Sequence, residues 1–200
     1  MQTNQIRREI KAQRRNLNTQ TLRQHSNRMC RLALGQRAFR HSQRIAFYHA
    51  VAGEMDPAPL LSAALETGKQ AYLPILRQRP CNSLWFAPLK RQTRMINNRF
   101  GIPEPEFQHR HLIMPWSLDL VFVPLVAFDR NGHRIGMGGG FYDRTFAFRH
   151  THRHLTGPKL IGLAHEFQLR DALDHNPWDV PLDAVITESA IYSFTQRVHD

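Results

Sequence analysis

The segment Leu118-Asp119-Leu120-Val121-Phe122-Val123 decides the fold of this chain. Its apolar residues are nearly continuous, without the alternation of apolar and polar positions that a half-exposed strand shows. Such a run is typical of a strand in the middle of a parallel sheet, because helices cover both of its faces. We therefore predict that residues 118–123 form the central strand of such a sheet.

Weaker patterns along the chain complete an α/β arrangement. Short apolar runs predict further strands at residues 44–49, 71–76, 84–87, 159–164 and 184–187. Between the first two, Asp56 and Pro57 predict the start of a helix, and Gly68 predicts its end. We expect one domain over residues 1–200, with a mostly parallel, twisted sheet flanked by helices in a Rossmann-like open sandwich. In such folds ligands bind beyond the carboxyl ends of the strands.

The first forty residues show a clear helical pattern, whereas residues 90–115 show no clear period. Apolar residues at helical spacing predict two helices in the first forty residues, with Asn18 capping the second. Residues 90–115 carry Gly101, Pro103 and Pro105 without a clear period, so we predict that they are mostly loop.

The charge of the chain favours anionic partners. Among its 200 residues, 27 Lys and Arg against 16 Asp and Glu give a formal net charge of +11. Nucleic acid, an acidic membrane surface and a polyanionic small molecule all fit that charge. No apolar run approaches the roughly 20 residues that cross a bilayer, and the N-terminus has no apolar signal core. We expect a cytoplasmic protein, with Cys30 and Cys81 buried and reduced.

The segment that follows the central strand carries the chemistry. It reads Arg134-Ile135-Gly136-Met137-Gly138-Gly139-Gly140-Phe141-Tyr142-Asp143-Arg144, with four glycines in five positions. Glycines let backbone amides converge on an anion, and a helix predicted near Phe141 adds its free amides, so we predict a phosphate cradle. Arg134 and Arg144 can pair with phosphate oxygens. The carboxylate of Asp143 and the phosphate oxygens can bind the same Mg²⁺ ion. A plain turn, with Asp143 at a helix N-terminus, is the alternative.

Neither common nucleotide-binding motif is present in this segment. The glycine spacing satisfies neither G-x-x-x-x-G-K-[ST] nor G-x-G-x-x-G. Together with Val123-Pro124-Leu125-Val126-Ala127-Phe128-Asp129, the segment instead resembles the 5-formyltetrahydrofolate cyclo-ligase family, also called 5,10-methenyltetrahydrofolate synthetases. Three further segments support the resemblance: Gly53-Glu54-Met55-Asp56-Pro57, Tyr72-Leu73-Pro74 and Pro181-Leu182-Asp183-Ala184-Val185.

This resemblance implies an activity and a set of site residues. The family closes 5-formyltetrahydrofolate into 5,10-methenyltetrahydrofolate with ATP and Mg²⁺, through phosphoryl activation of the formyl oxygen and release of ADP and phosphate. The resemblance implies ATP binding by Arg7, Arg134, Ile135, Gly136, Met137, Gly138, Gly139, Gly140, Phe141 and Tyr142. It implies substrate binding by His49, Glu54, Met137, Gly138, Gly139, Gly140 and Phe141. It also implies metal binding by Asp143 and Asp183, and catalytic roles for Tyr142 and Arg144. Where family members commonly carry a second N-terminal basic residue, this chain has Thr3.

Other interpretations remain open from the residues alone. A nucleic-acid-binding protein would explain the charge, but no recognised module is present, so we do not expect that partner. An α/β sugar-phosphate isomerase or a protein like the CoA-transferases would share the fold class. The residues His150, His152 and His154 alternate with other residues in a basic stretch, and we expect a solvated loop there instead of a metal site. We expect a monomer whose basic surface would attract polyglutamylated folates.

Overall fold

The computed structural model describes residues 3–77, 82–151 and 157–194. The helices are α1 (Thr3–Arg15), α2 (Thr19–Leu34), α3 (Arg37–His41), α4 (Ala58–Glu66), α5 (Phe141–Phe146) and α6 (Phe148–Thr151), with single 3₁₀ turns at His109–His111, Pro115–Ser117 and Glu166–Gln168. The strands are β1 (Arg44–Ala46), β2 (Gln70–Leu76), β3 (Leu84–Leu89), β4 (Met95–Asn97), β5 (Pro103–Pro105), β6 (Leu120–Pro124), β7 (Ala127–Phe128), β8 (Arg134–Ile135), β9 (Lys159–Leu163), β10 (Ala184–Ile186) and β11 (Ile191–Ser193). Cys81, His152 and His154 lie outside the described residues.

A seven-stranded sheet organises the chain, in the order β11-β10-β9-β6-β1-β2-β3. Strands β10, β9, β6, β1 and β2 run parallel to their neighbours, and β11 and β3 pair antiparallel at the two edges. The α/β class and the mostly parallel sheet are therefore confirmed. Strand β6 lies at the centre of the sheet, as its apolar sequence predicts.

The central strand is apolar on both faces because both faces are covered. Leu120 and Phe122 pack with helices α2, α3 and α4 in one core cluster. Val121 and Val123 point the other way, into a second cluster that includes Phe146 of α5. Side chains of a strand alternate between the two faces of the sheet, so two covered faces require an apolar residue at every position.

Strand order reverses between β1 and β6, and this reversal positions the site. From β1 the chain proceeds to β2 on one side, whereas β6 leads to β9 and β10 on the other. The loops that leave neighbouring strands β1 and β6 therefore diverge to opposite sides. Such a switch point leaves a crevice at the carboxyl ends of the two strands.

Local signals placed most helix boundaries correctly. Asn18 caps α2, where its side chain accepts a hydrogen bond of 2.8 Å from the Thr21 amide. The Asp56 carboxylate accepts from the Ala58 amide at 2.9 Å, although Pro57 is the capping residue of α4. Cys30 is buried, as predicted. No helix within the described ranges is long and apolar enough to cross a bilayer.

Several predicted segments differ from the structure. A third helix, α3, begins within the first forty residues, where two helices were predicted. Strand β1 ends at Ala46 instead of residue 49, although the Phe47 amide still donates to the Tyr72 carbonyl of β2 at 2.9 Å. In the stretch predicted as mostly loop, β4 and β5 form an antiparallel hairpin. Its strands are three residues each and carry prolines at 103 and 105, so no alternating pattern was long enough to detect.

Gly162, in β9, allows a close approach of three side chains, and we expect Gly162→Ala to destabilise the fold. A Cβ atom there would lie 2.5 Å from Leu125 Cδ2 and 2.9 Å from both Leu182 Cδ1 and Val185 Cγ2. Overpacking of this kind costs about 1–3 kcal/mol. Denaturant titration measures the loss in the free energy of unfolding.

Gly35→Ala is the matched control for this substitution. Gly35 has a φ of −71°, and a Cβ there would meet only the Leu32 carbonyl oxygen at 3.5 Å, an ordinary contact. We expect its stability to stay within about 0.5 kcal/mol of wild type. Equal unfolding midpoints for the two variants would show that the sheet adjusts around residue 162.

Candidate active site

A cavity of about 500 Å³ opens at the switch point between β1 and β6. Residues that follow β1 line it on one side, and residues that follow β6 line it on the other. Among the residues predicted for the site, ten contribute to its wall: His49, Glu54, Arg134, Gly136, Met137, Gly139, Gly140, Phe141, Tyr142 and Asp143. Segments far apart in the sequence thus meet where the fold places a ligand site.

The glycine loop forms one wall of this cavity. It is residues 136–140, between the short hairpin strand β8 and helix α5. The five backbone amides of the loop donate no hydrogen bond to any group of the described residues. Gly138 and Gly140 have φ values of +99° and +59°, which residues with a Cβ rarely adopt. A loop of unpaired amides with this backbone shape is suited to an anion.

Two arginines outside the cavity wall donate hydrogen bonds to carbonyl groups of the loop. The Nε atom of Arg7, in α1, donates to the Gly136 carbonyl at 2.9 Å, and its guanidinium lies against Gly138. Arg144 donates from Nη2 to the Gly139 carbonyl and from Nε to the Asn82 carbonyl, the latter at 3.0 Å. Neither arginine is part of the described cavity wall. Both are therefore placed to fix the loop's shape.

Arg134 and Asp143 form an ion pair within the cavity wall. Nη2 of Arg134 lies 2.5 Å from Oδ1 of Asp143, and the Val180 amide donates to the same oxygen at 3.2 Å. Nη1 of Arg134 donates to the Val180 carbonyl. The other carboxylate oxygen, Oδ2, makes no hydrogen bond within the described ranges. Arg134 thus orients Asp143, and one carboxylate oxygen is left for a ligand.

Asp183 occupies a different environment from Asp143. Its carboxylate lies 3.2 Å from Arg149 and 3.0 Å from Lys159, and it accepts from the Leu160 amide at 2.8 Å. It precedes β10, so it lies near the amino ends of the parallel strands. Asp183 is absent from the cavity wall that the described residues form. Its metal role stays a prediction.

Glu54 is a buried carboxylate that faces the cavity and pairs with a buried arginine. Its Oε1 lies 3.6 Å from Nη1 of Arg14, and its Oε2 accepts from the Val51 amide at 3.2 Å. Arg14 also donates to the Leu125 carbonyl. The two side chains are only 7% and 3% exposed. A charge pair so removed from water is costly to build, which points to a role in binding.

Burial perturbs the ionisation of this region. It raises the pKa of the Glu54 carboxyl, although nearby Arg14 and the Val51 amide lower it in part. Burial also lowers the pKa of Arg14, against the attraction of Glu54. The pKa values of Tyr48 and Tyr142 are raised, first by burial and then by the Glu54 charge. Perturbed groups that share a cleft are typical of a functional site.

Several predicted residues lie beside the cavity instead of on its wall. Ile135, at the end of β8, is buried with Ile6 and Ile10 in a separate apolar cluster. Gly138 faces Arg7. His49 differs from these residues, because its exposed side chain lines the cavity.

Two parts of this site were not predicted from the sequence. Arg14 looked like one of many cations on an N-terminal helix, and its burial depends on packing against a loop that is distant in the sequence. The hairpin of β4 and β5 contributes Asn98, Phe100, Ile102, Pro103 and Glu104 to the wall. Glu104 is anchored there, since its Oε1 accepts from the Leu76 amide at 3.0 Å and from Asn98 Nδ2 at 2.7 Å.

The fold and the site define a doubly wound α/β protein with a glycine loop of unpaired amides at its switch point. The sequence model of the 5-formyltetrahydrofolate cyclo-ligase family matches residues 1–188. The chain therefore belongs to that family of enzymes, and the resemblance found in the sequence is confirmed.

Individual relatives agree with this assignment. The chain is 38% identical over 150 residues to 5-formyltetrahydrofolate cyclo-ligase of Escherichia coli K12, an alignment that covers 75% of this chain and 80% of the relative. It is 36% identical over 178 residues to the Haemophilus influenzae enzyme of the same name, covering 89% and 93%. The NMR structure of Aquifex aeolicus 5,10-methenyltetrahydrofolate synthetase superimposes over 100% of both chains with a TM-score of 0.81, at 26% identity.

Proposed function

We propose that this protein converts 5-formyltetrahydrofolate into 5,10-methenyltetrahydrofolate, with ATP converted to ADP and phosphate. The observation that carries the proposal is one cavity with two unlike walls. One wall is a glycine loop with unpaired amides, suited to phosphates. The other presents the Glu54 carboxylate, which can accept hydrogen bonds from the N–H donors of a pterin ring.

The proposed reaction activates a poor electrophile. The formyl oxygen attacks the γ-phosphorus of ATP, the bond to the ADP oxygen breaks, and the formyl carbon becomes part of an iminium phosphate. The N10 atom of the folate then attacks that carbon and releases its proton to solvent, and phosphate leaves with the C–O electron pair. Stabilising the transferring phosphoryl group and holding the reactants together are what such a site must supply.

The chain's own residues divide these tasks in our proposal. The loop amides of residues 136–140 bind the phosphates, while Arg7 and Arg144 hold the loop in shape through its carbonyls. Tyr142, next to Asp143 on the cavity wall, is protonated at neutral pH like any tyrosine, and burial raises its pKa further. It can therefore donate a hydrogen bond to a phosphoryl or formyl oxygen.

The donor set at Asp143 fits a magnesium ion. Mg²⁺ prefers carboxylate oxygens and usually takes only one or two of them, with phosphates and waters completing its octahedron. Oδ2 of Asp143 meets that requirement, whereas both oxygens of Asp183 already accept from cationic groups. When bound, the ion would neutralise charge on the β- and γ-phosphates. The role of Asp183 as a second carboxylate rests on the family resemblance alone.

Partners follow from the same proposal. We propose 5-formyltetrahydrofolate and ATP as the substrates, with polyglutamylated folates attracted by the net charge of +11. Nucleic acid is not a proposed partner. A monomer in the cytoplasm remains our prediction for the assembly and its location.

A spectrophotometric assay tests the proposed function. Purified protein with ATP, Mg²⁺ and 5-formyltetrahydrofolate should form the methenyl product, followed by its near-ultraviolet absorbance. Omission of ATP should prevent it. Folded protein, checked by circular dichroism, that gives no product under these conditions would overturn the proposal.

The glycine loop itself gives a further prediction, and we expect Gly139→Ala to weaken ATP use. A Cβ at residue 139 would lie 2.7 Å from the Phe141 ring, so the loop or the ring must move. We expect KM for ATP to rise at least about tenfold, equivalent to about 1.4 kcal/mol. Steady-state kinetics at saturating folate measures it.

Gly136→Ala is the matched comparison within the same loop. A Cβ at residue 136 meets no atom within 4 Å, so the same chemical change occurs without a clash. We expect its KM for ATP to lie much closer to wild type. Equal effects at residues 136 and 139 would mean that the loop does not hold ATP by its shape.

A further inference from the structure

Two histidines and one glutamate converge at a point that the proposed reaction does not use. His25 lies in α2, His165 follows β9, and Glu188 follows β10. The Nδ1 atoms of the two rings are 3.0 Å apart, and Nδ1 of His25 lies 3.5 Å from Oε1 of Glu188. Within the described part of the chain, these residues are the one group of three or more metal-ligand side chains with ligand atoms mutually within 4.8 Å.

These separations match the edges of a metal coordination tetrahedron. Zinc binds imidazole nitrogen and carboxylate oxygen at about 2.0–2.1 Å, so neighbouring ligand atoms of a tetrahedral site lie about 3.3 Å apart. The measured 3.0 and 3.5 Å bracket that value. Two histidines and one glutamate are also a known protein ligand set for zinc, with a fourth position left for water.

The surroundings of His165 place the lone pair of its ring on the Nδ1 atom. Its Nε2 lies 3.1 Å from the Gly53 carbonyl oxygen, and a carbonyl only accepts, so Nε2 carries the hydrogen. The lone pair of the neutral ring is then on Nδ1, which faces His25. A second hydrogen bond of this kind orients most metal-binding histidines.

The other two ligands are held and reachable. Both oxygens of Glu188 face the Glu166 amide, at 3.3 and 3.1 Å, which fixes the carboxylate beside the rings. The side chain of His25 is 19% exposed and that of Glu188 is 8% exposed. His165 is fully buried, so an ion would enter past His25.

We propose that His25, His165 and Glu188 bind one divalent ion of the late first transition series, zinc above all. Imidazole ligands favour zinc, copper and nickel, whereas magnesium and calcium prefer oxygen ligands. This site is therefore distinct from the proposed magnesium position at Asp143 in both its residues and its metal. It adjoins the active site through the Gly53 carbonyl, one residue before Glu54.

Two nearby groups oppose binding and set its strength. The His165 ring caps the 3₁₀ turn at Glu166–Gln168 through the Gln168 backbone, so that amide competes with an ion. Arg14 places a positive charge near His165, which opposes a cation there. Without a metal, Nδ1–H of His25 would donate to His165 Nδ1, and a hydrogen bond alone would explain their contact. The experiment must separate these two explanations.

Metal titration of tag-free protein tests the site. We would titrate Zn²⁺ by calorimetry into wild type, His25→Gln and Glu188→Gln, each checked by circular dichroism and in excess Mg²⁺. We expect one zinc per chain in wild type, unaffected by Mg²⁺, and an affinity at least about tenfold lower in both variants. His41→Gln, which removes an exposed histidine of α3, should bind zinc as wild type does, although the chain has 12 histidines.

Cobalt spectroscopy gives a second readout that needs no variant. Co²⁺ in a four- or five-coordinate site with nitrogen ligands absorbs much more strongly in the visible range than hexa-aqua Co²⁺. We expect strong absorption at one equivalent, lost when Zn²⁺ is added. Weak octahedral absorption in wild type, or equal zinc affinity in wild type and the two ligand variants, would overturn the proposal and leave a histidine hydrogen bond.

Discussion

Asp143→Asn is expected to remove magnesium-dependent turnover while the protein remains folded. The substitution keeps the side chain's size and one oxygen but deletes the charge that a hard cation requires. Loss of one hydrogen-bond donor that stabilises charge in a transition state costs about 10²–10³-fold in kcat. Here the metal and its charge are lost together, so we expect at least that reduction. The absorbance assay with a magnesium titration measures it.

The contact with Arg134 makes a control necessary for this variant. The new amide side chain would retain an oxygen for Nη2 of Arg134 and for the Val180 amide, which in wild type converge on Oδ1 of Asp143. The ion pair is lost, so the thermal unfolding temperature must be measured beside the activity. Asp174→Asn deletes an exposed carboxylate and should keep wild-type turnover. Normal magnesium-dependent turnover by folded Asp143→Asn would refute the metal role.

The sequence predicts the centre of the fold well, because a strand buried on both faces requires a nearly continuous run of apolar residues. Every position of β6 must be apolar or small when helices cover both sides, and residues 118–123 show that run. The structure shifts the strand to Leu120–Pro124, since pairing with β9 starts at Leu120. The glycine loop was equally visible, because its backbone shape excludes most side chains.

Contacts between distant segments are what the sequence could not supply. Arg14 and Glu54 come from a helix and a loop that carry no shared pattern, and their pairing depends on how α1 packs beside β7. The three-residue strands of the β4–β5 hairpin are too short for periodicity to reveal. Positions 143 and 183 are both aspartates, so the residue type does not distinguish them. Only the tertiary structure shows that Asp143 lines the cavity, whereas Asp183 pairs with Arg149 and Lys159.

Glu54→Gln is expected to give the second large loss, and to affect folate more than ATP. The buried Glu54 carboxylate accepts hydrogen bonds as a charged group, each worth about 1.5–3 kcal/mol. In our proposal two N–H donors of the pterin ring bind this carboxylate. Loss of its charge therefore predicts a decrease in kcat/KM for the folate of about 10²–10³-fold. KM for ATP should change little, because the glycine loop is separate. Glu66→Gln, on the exposed side of α4, is the matched control.

The pH dependence of wild type and Glu54→Gln provides an independent test of this carboxylate. Burial raises the pKa of Glu54, so wild-type kcat/KM should fall on the acid side at a higher pH than an ordinary glutamate would cause. The variant should lack that decrease. A variant with wild-type affinity for folate, or with the same acid decrease, would show that Glu54 does not bind the substrate in its ionised form.

As pH rises, the activity of wild type should increase while its stability relative to Glu54→Gln decreases. A group whose pKa is raised in the folded state contributes stability at low pH and loses it as pH rises through the folded pKa. Below the ordinary pKa of glutamate, neutral Glu54 resembles glutamine, so wild type and variant should unfold at similar temperatures. As pH rises to neutrality, wild type should lose stability relative to Glu54→Gln. A buried charge that costs stability yet is required for turnover is what a binding carboxylate predicts, whereas a purely structural ion pair with Arg14 would give a variant less stable at neutral pH.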